Sequence, residues 1–184
     1  MRLLGIAVLL LSTLLVGTPA VAGSDIEDYA SYEPSSKCHP RARPGTDYLA
    51  HWIVRKYGGG LGGTSRPCDR TATSEHQNGR ALDWTLDATK RADRQRARAF
   101  MGRIFQTDRH GNTDAWARRM GVMYVIWNDT MYPAWSHFEP EPYLSSSCHK
   151  RRRCSKTLRH RDHLHVSLSA QGARGVRSWY DGRL

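Results

Sequence analysis

The sequence predicts an α+β fold, a small antiparallel sheet with flanking helices. Three observations carry that expectation. Residues 80–86 and 163–169 alternate polar and apolar side chains, as half-buried strands do. The run Val122-Met123-Tyr124-Val125-Ile126-Trp127 is almost continuously β-prone, which suits a buried strand. Residues 89–105 have helical periodicity, but helices and strands do not alternate regularly enough for a parallel βαβ sheet.

Residues 1–22 read as a secretory signal. Arg2 is the charged start, Leu3 to Val16 is the apolar run, and Ala20-Val21-Ala22 is the small-residue cleavage site. The apolar run is shorter than the roughly 20 residues a membrane-spanning helix needs, so cleavage is expected rather than anchoring. The mature chain is therefore expected to be secreted, extracellular or cell-wall associated.

Residues 23–44 are polar and lack a period, and read as a loosely ordered lead-in tethered by Cys38. Residues 45–184 suit a single domain. Within it, residues 46–57 predict a short helix with Asp47 near its start and Leu49, Trp52, Ile53 and Tyr57 on one face. Gly58-Gly59-Gly60 ends it, and residues 58–73 form a loop. The helix over residues 89–105 has an expected stripe of Ala92, Ala99, Phe100, Ile104 and Phe105, with arginines opposite. A second short helix covers residues 114–120 and breaks at Gly121. Residues 130–147, rich in proline and aromatics, read as a long ordered loop. There is no internal repeat.

The four cysteines, Cys38, Cys68, Cys148 and Cys154, argue for disulfides in an exported chain. Three pairings are possible. Cys38–Cys68 with Cys148–Cys154 is favoured, the second stapling the basic loop CHKRRRC. A four-cysteine structural zinc site is the alternative, but no C-x-x-C pair is present.

The chain carries 28 Lys+Arg against 17 Asp+Glu, a formal net charge of +11. Such an excess bears on partners and solubility, not on fold. Nucleic acid is one polyanion that such a surface suits; for an exported protein an anionic cell wall or membrane surface suits it at least as well, and nucleic acid is not the expected partner. Lys150-Arg151-Arg152-Arg153 is the densest patch, and a solvated loop is its simplest reading.

The chemistry lies in two strings. SEHQNGRALDW, Ser74 to Trp84, contains His76 and Asp83; HRDHLHVSL, His160 to Leu168, contains His163 and His165. Two imidazoles and a carboxylate make an open zinc site that leaves the fourth position for water. Gly79 and Ala81 allow a tight turn and close packing. Asp83 lies between Leu82 and Trp84, so its carboxylate needs a partner, either a metal shared with His76 or an arginine. His163 and His165, two apart on a strand, project together, while Leu164, Val166 and Leu168 face the core. Either histidine can ligate while the other hydrogen-bonds water or substrate.

These motifs resemble those of the zinc peptidases of the hedgehog/D-Ala-D-Ala-carboxypeptidase fold, the M15-like group that includes lysostaphin-type endopeptidases. Ser74, His76, Gly79, Ala81 and Asp83 match the pattern S-x-H-x-x-G-x-A-x-D. His165 fits the later motif as H-x-H with His163, and has Asp162 three before it. A narrower likeness is to exported bacterial proteins with G-V-x-Y-V-I-W-N, here Gly121 to Asn128, before H-x-D-H-x-H-V-S, here His160 to Ser167. The similarity covers residues 45–170. It implies a hedgehog/DD-peptidase-like fold and one Zn2+ held by His76, Asp83 and His165. The carboxypeptidase branch has a glutamate base where this chain has Asp162; the endopeptidase branch uses the first histidine of H-x-H. His163 is thus the first candidate for acid–base work and Asp162 the second, unless Asp162 orients a histidine or pairs with Arg161. Family members also place an arginine near the substrate carbonyl, for which Arg66 and Arg70 are candidates.

The resemblance and the export signal together imply a zinc-dependent peptidase that hydrolyses amide bonds in cell-wall peptidoglycan peptides, as a carboxypeptidase or an endopeptidase. One alternative is a non-catalytic, zinc-containing cell-wall-binding domain. Another is a secreted metal-dependent nuclease, although such metals usually want more oxygen ligands. Tyr124 and Trp127 read as core. Trp135, His137, Phe138 and Tyr143 could line a groove, Glu75 is expected to point away from the ligands, and His39, His51, His110 and His149 receive no role.

Overall fold

The computed structural model describes residues 26–69 and 74–184. The signal reading of residues 1–22 and the candidate Arg70 lie outside the described residues.

Helix α1 (Pro44–Tyr57) starts with a proline, whose fixed φ suits the first turn, and buries Leu49, Ala50 and Ile53. After it come β1 (Gly60–Leu61), a 3-10 turn (Glu75–Asn78) and β2 (Ala81–Thr85). Then follow α2 (Arg91–Ile104), α3 (Ala115–Met120), β3 (Val122–Trp127), β4 (Thr130–Pro133), β5 (Glu141–Pro142), β6 (His163–Leu168) and α4 (Ala170–Arg174). The strands form one six-stranded sheet in the order β1-β2-β6-β3-β4-β5, and every neighbouring pair is antiparallel. The α+β class with an antiparallel sheet is thus the observed one. Among the described residues no helix is long and apolar enough to cross a membrane.

The central strand β6 decides which side chains meet. Asp83 on β2 pairs with His165, and Ile126 on β3 pairs with the same residue from the other side. Alternation then separates two faces. One carries Leu82, Trp84, Leu164, Val166 and Val125, all buried, with the ring of Phe100 from α2 5.8 Å from that of Trp84. The other carries Asp83, His163, His165, Ser167, Tyr124 and Ile126, and it is the face with the chemistry.

Two expectations need correction. The buried stripe of α2 is Ala97, Phe100 and Ile104; Ala92 and Ala99 are exposed and Phe105 only partly buried. At about 100° per residue, Ala92 and Ala99 fall roughly opposite Ala97, on the arginine side. Residues 130–147 are not simply a loop, because β4 and β5 extend the sheet. The turn before β4 is Asn128-Asp129, with φ 49° and 67°. Two central residues at positive φ between Trp127 and Thr130 make the two-residue hairpin turn whose twist matches the strands.

The lead-in is pinned rather than loose from residue 26 onward, although it forms no helix or strand before α1. The His39 amide donates to the Gln77 carbonyl at 2.6 Å, and Asn78 bonds both the Ser35 hydroxyl and the Lys37 carbonyl. The buried guanidinium of Arg80 donates to the Glu33 carboxylate at 3.2 Å and the Glu33 carbonyl at 2.9 Å. Both disulfides have the favoured pairing, Cys38–Cys68 and Cys148–Cys154.

Candidate metal centre

His76 reaches the sheet through the 3-10 turn. Ser74 caps that turn, its hydroxyl accepting from the His76 amide at 3.3 Å, and Gly79 closes it at φ 65°. Glycine tolerates this left-handed conformation, and here a side chain would also run into the Arg41 carbonyl. The Thr46 hydroxyl donates to the Gly79 carbonyl at 2.8 Å, fixing the turn to the start of α1.

The turn brings Nε2 of His76 to 3.1 Å from Oδ1 of Asp83 and 3.3 Å from Nδ1 of His165. Nδ1 of His165 lies 3.0 Å from the same Asp83 oxygen. Three acceptor atoms thus face a common point. Tetrahedral neighbours around an ion with bonds of about 2.0–2.2 Å stand about 3.3–3.6 Å apart, close to this spacing. The His76–Asp83–His165 group could therefore hold a metal ion. Burial keeps the His165 ring below the ordinary imidazole range despite the Asp83 charge, so it stays neutral, the form with a lone pair to give. Burial pushes the Asp83 carboxyl up, but the polar ring nitrogens of His165 and His76 beside it overcome this and hold it well below the carboxylate range. Nε2 of His165 lies 2.8 Å from the buried Ser167 hydroxyl, a contact that leaves Nδ1 free for the centre when Nε2 carries the proton.

The neighbouring residues divide by role. His163 has Nε2 3.6 Å from Oδ1 of Asp83 and Nδ1 2.7 Å from Oδ1 of Asp162. The second Asp162 oxygen accepts from the Thr157 hydroxyl at 2.6 Å. Asp162 therefore holds His163 rather than pointing at the centre. Arg66 is exposed, and its amide donates to the His76 carbonyl at 3.1 Å, so its backbone borders the metal turn.

A family model described as VldE, C-terminal domain, matches residues 38–150, more than half of the chain. The chain belongs to the VldE C-terminal domain family. No curated protein and no solved structure matches it. The match to the VldE C-terminal domain includes His76 and Asp83 and ends before His163 and His165.

Sequence reasoning gave no role to three neighbours of the site in this VldE-type domain. Ser167 was visible in principle, being two beyond His165 and so on its face. His160 lies with its ring 4.6 Å from that of His163 and 5.5 Å from that of His165. Burial, then the nearby His165 and His163, push its pKa down to about 2, so it stays neutral. The third is a pair: the Tyr124 hydroxyl donates to the buried Glu75 carboxylate at 2.7 Å, and the Tyr124 ring stacks on His165 at 5.7 Å. Of the expected groove residues, Trp135 and Tyr143 line one. His137 instead stacks on Tyr29 at 4.5 Å, and Phe138 is buried against Phe105 at 4.7 Å.

Proposed function

We propose that this chain is an exported metallopeptidase of the hedgehog/D-Ala-D-Ala-carboxypeptidase type. In this reading His76, Asp83 and His165 hold one Zn2+, and the substrates are amide bonds of cell-wall peptidoglycan peptides. Two imidazoles and a single carboxylate suit zinc better than the oxygen-seeking calcium or magnesium. The two disulfides fit an oxidising compartment outside the cytosol.

The observation that carries the peptidase reading is the orientation of His163. One ring nitrogen is held by Asp162 at 2.7 Å while the other faces Asp83, beside the three acceptor atoms. This is the arrangement of a general base with an orienting carboxylate. A bound zinc ion would supply a water of lowered pKa and polarise the substrate carbonyl. Asp162 keeps the proton on Nδ1 of His163, so Nε2 is the acceptor. Nε2 takes a proton from the attacking water and returns it to the leaving amine nitrogen. Arg66, exposed and bonded through its amide to the turn that bears His76, is the candidate among the described residues for a contact with the substrate carbonyl oxygen.

The test is a digest of purified peptidoglycan by the mature, zinc-loaded protein, read by mass spectrometry of released peptides. Release that stops on chelation and returns with zinc is the expected result. Zinc bound at about one per chain with no peptide released would replace this reading with a non-catalytic wall-binding domain. Chelation-sensitive cleavage of DNA or RNA instead would replace it with a nuclease.

A further inference from the structure

An open groove of about 330 Å³ runs beside the candidate centre, lined by Tyr32, Tyr124, Ile126, Met131, Trp135 and Tyr143. It connects to the centre through two of its walls. Tyr124 stacks on His165, and Tyr143 stands edge-on to His160 at 4.9 Å. The rings also brace one another: Tyr32 meets Trp135 at 5.6 Å and Trp135 meets Tyr124 at 6.1 Å, both edge to face. Trp135 and Tyr32 nevertheless remain 44% and 56% exposed, so both side chains are open to solvent in part.

The charge around this groove is unlike that of the rest of the molecule. Four other cavities each have arginine or lysine in the wall, among them Arg103, Arg174, Arg55 and Lys156. The aromatic groove has neither, in a chain with net charge +11. An anion lies one hydrogen bond behind its wall: the buried Glu75 carboxylate, only 7% exposed, accepts from the hydroxyl of Tyr124 at 2.7 Å. Burial raises the Tyr143 phenol, a hydrogen bond with Ser145 offsets part of that rise, and the Glu75 charge adds a smaller increment to it. Aromatic faces carry negative quadrupole potential, and rings around a point backed by a carboxylate are the usual recognition of an ammonium group.

We infer that the aromatic groove is a subsite for a primary ammonium group, such as the side-chain amine of a diamino acid, on the peptide whose amide enters the centre. The inference rests on the peptidase reading for its substrate, but the site itself can be tested without cleavage. The aromatic walls contact the methylene stem while the ammonium head lies over the ring faces toward Glu75. A peptide with its amine acylated loses that attraction.

The experiment is an NMR titration of the mature, zinc-loaded protein with n-butylammonium chloride. n-Butanol serves as the neutral isostere and sodium chloride as the salt control. The signal is the Trp135 indole N–H, assigned by its disappearance in Trp135→Phe. Saturable shifts by butylammonium, with affinity about tenfold above butanol, are expected. Glu75→Gln should remove that preference. Should Glu75→Gln fail to fold, Tyr32→Ala, at an exposed position of the same wall, should by itself weaken butylammonium binding read at the Trp135 indole N–H. Equal affinity for amine and alcohol, or no saturable shift, overturns the inference even if peptidoglycan is cleaved. A clear amine preference in a protein that cleaves nothing would keep the subsite and overturn only the peptidase reading.

Discussion

Nδ1 of His163 sits 2.7 Å from Oδ1 of Asp162, and Thr157 takes up the other oxygen of that carboxylate. The dyad fixes one ring nitrogen and frees the other. His163→Ala should therefore lower kcat by about 10²–10⁴-fold while leaving the bound metal in place. Asp162→Asn, which only loosens the ring, should lower it by roughly 10–100-fold. Turnover measured beside metal content checks both. A larger loss for Asp162→Asn than for His163→Ala would make the carboxylate the base.

His76 and His165 supply two of the three acceptor atoms, 3.3 Å apart. Replacing either with alanine should remove zinc from the purified protein, from about one per chain to little or none. Elemental analysis reads this directly. Full retention in His76→Ala would dissolve the proposed ligand set.

Gly79→Ala should destabilise the fold by roughly 3 kcal/mol or more, from the strained φ and the overlap with the Arg41 carbonyl. The same change should weaken zinc binding, because Gly79 ends the turn that bears His76. Denaturant melts of the metal-free protein separate the two effects.

The two disulfides close loops of different length, with sequence separations of 30 for Cys38–Cys68 and 6 for Cys148–Cys154. Loop-closure entropy predicts a loss of about 4 kcal/mol for removing the first and about 2 kcal/mol for the second. The first also ties the lead-in to the segment before the metal turn, so its loss should lower zinc affinity while that of Cys148–Cys154 should not. Paired Cys→Ser variants, melted in denaturant and titrated with zinc, test the ordering.

Asp108 gives the acid limb of stability a specific origin. Hydrogen bonds from Asn112, with help from Arg119, hold its carboxyl down at about 2. A depressed folded-state pKa contributes stability that is complete above the unfolded value near pH 4 and is lost as pH falls toward 2. Asp108→Asn should flatten the decline between those limits, as seen in thermal melts across pH 2 to 5. An unchanged slope would exclude Asp108 as its source.

Much of the secondary structure was legible because it depends on local pattern. Strands β2, β3 and β6 and helices α1, α2 and α3 follow from periodicity and from glycine breaks such as Gly58 and Gly121. The hairpin after Trp127 was less so, because the turn Asn128-Asp129 lacks the glycine that usually marks it. The stripe on α2 was misplaced because alanine, small and polar-tolerant, gives no strong sign of which way it faces.

The sequence by itself marked the residues that could hold a metal, His76, Asp83 and His165, and the histidine beside them, His163. It could not decide which nitrogen faces which atom, that Asp162 turns toward His163, or that Glu75 lies under Tyr124. Those relations depend on the antiparallel register that sets Asp83 opposite His165 and on the capped turn that folds His76 back over them. Register and turn placement are set by packing between segments far apart in the chain, and local pattern holds no record of that distance.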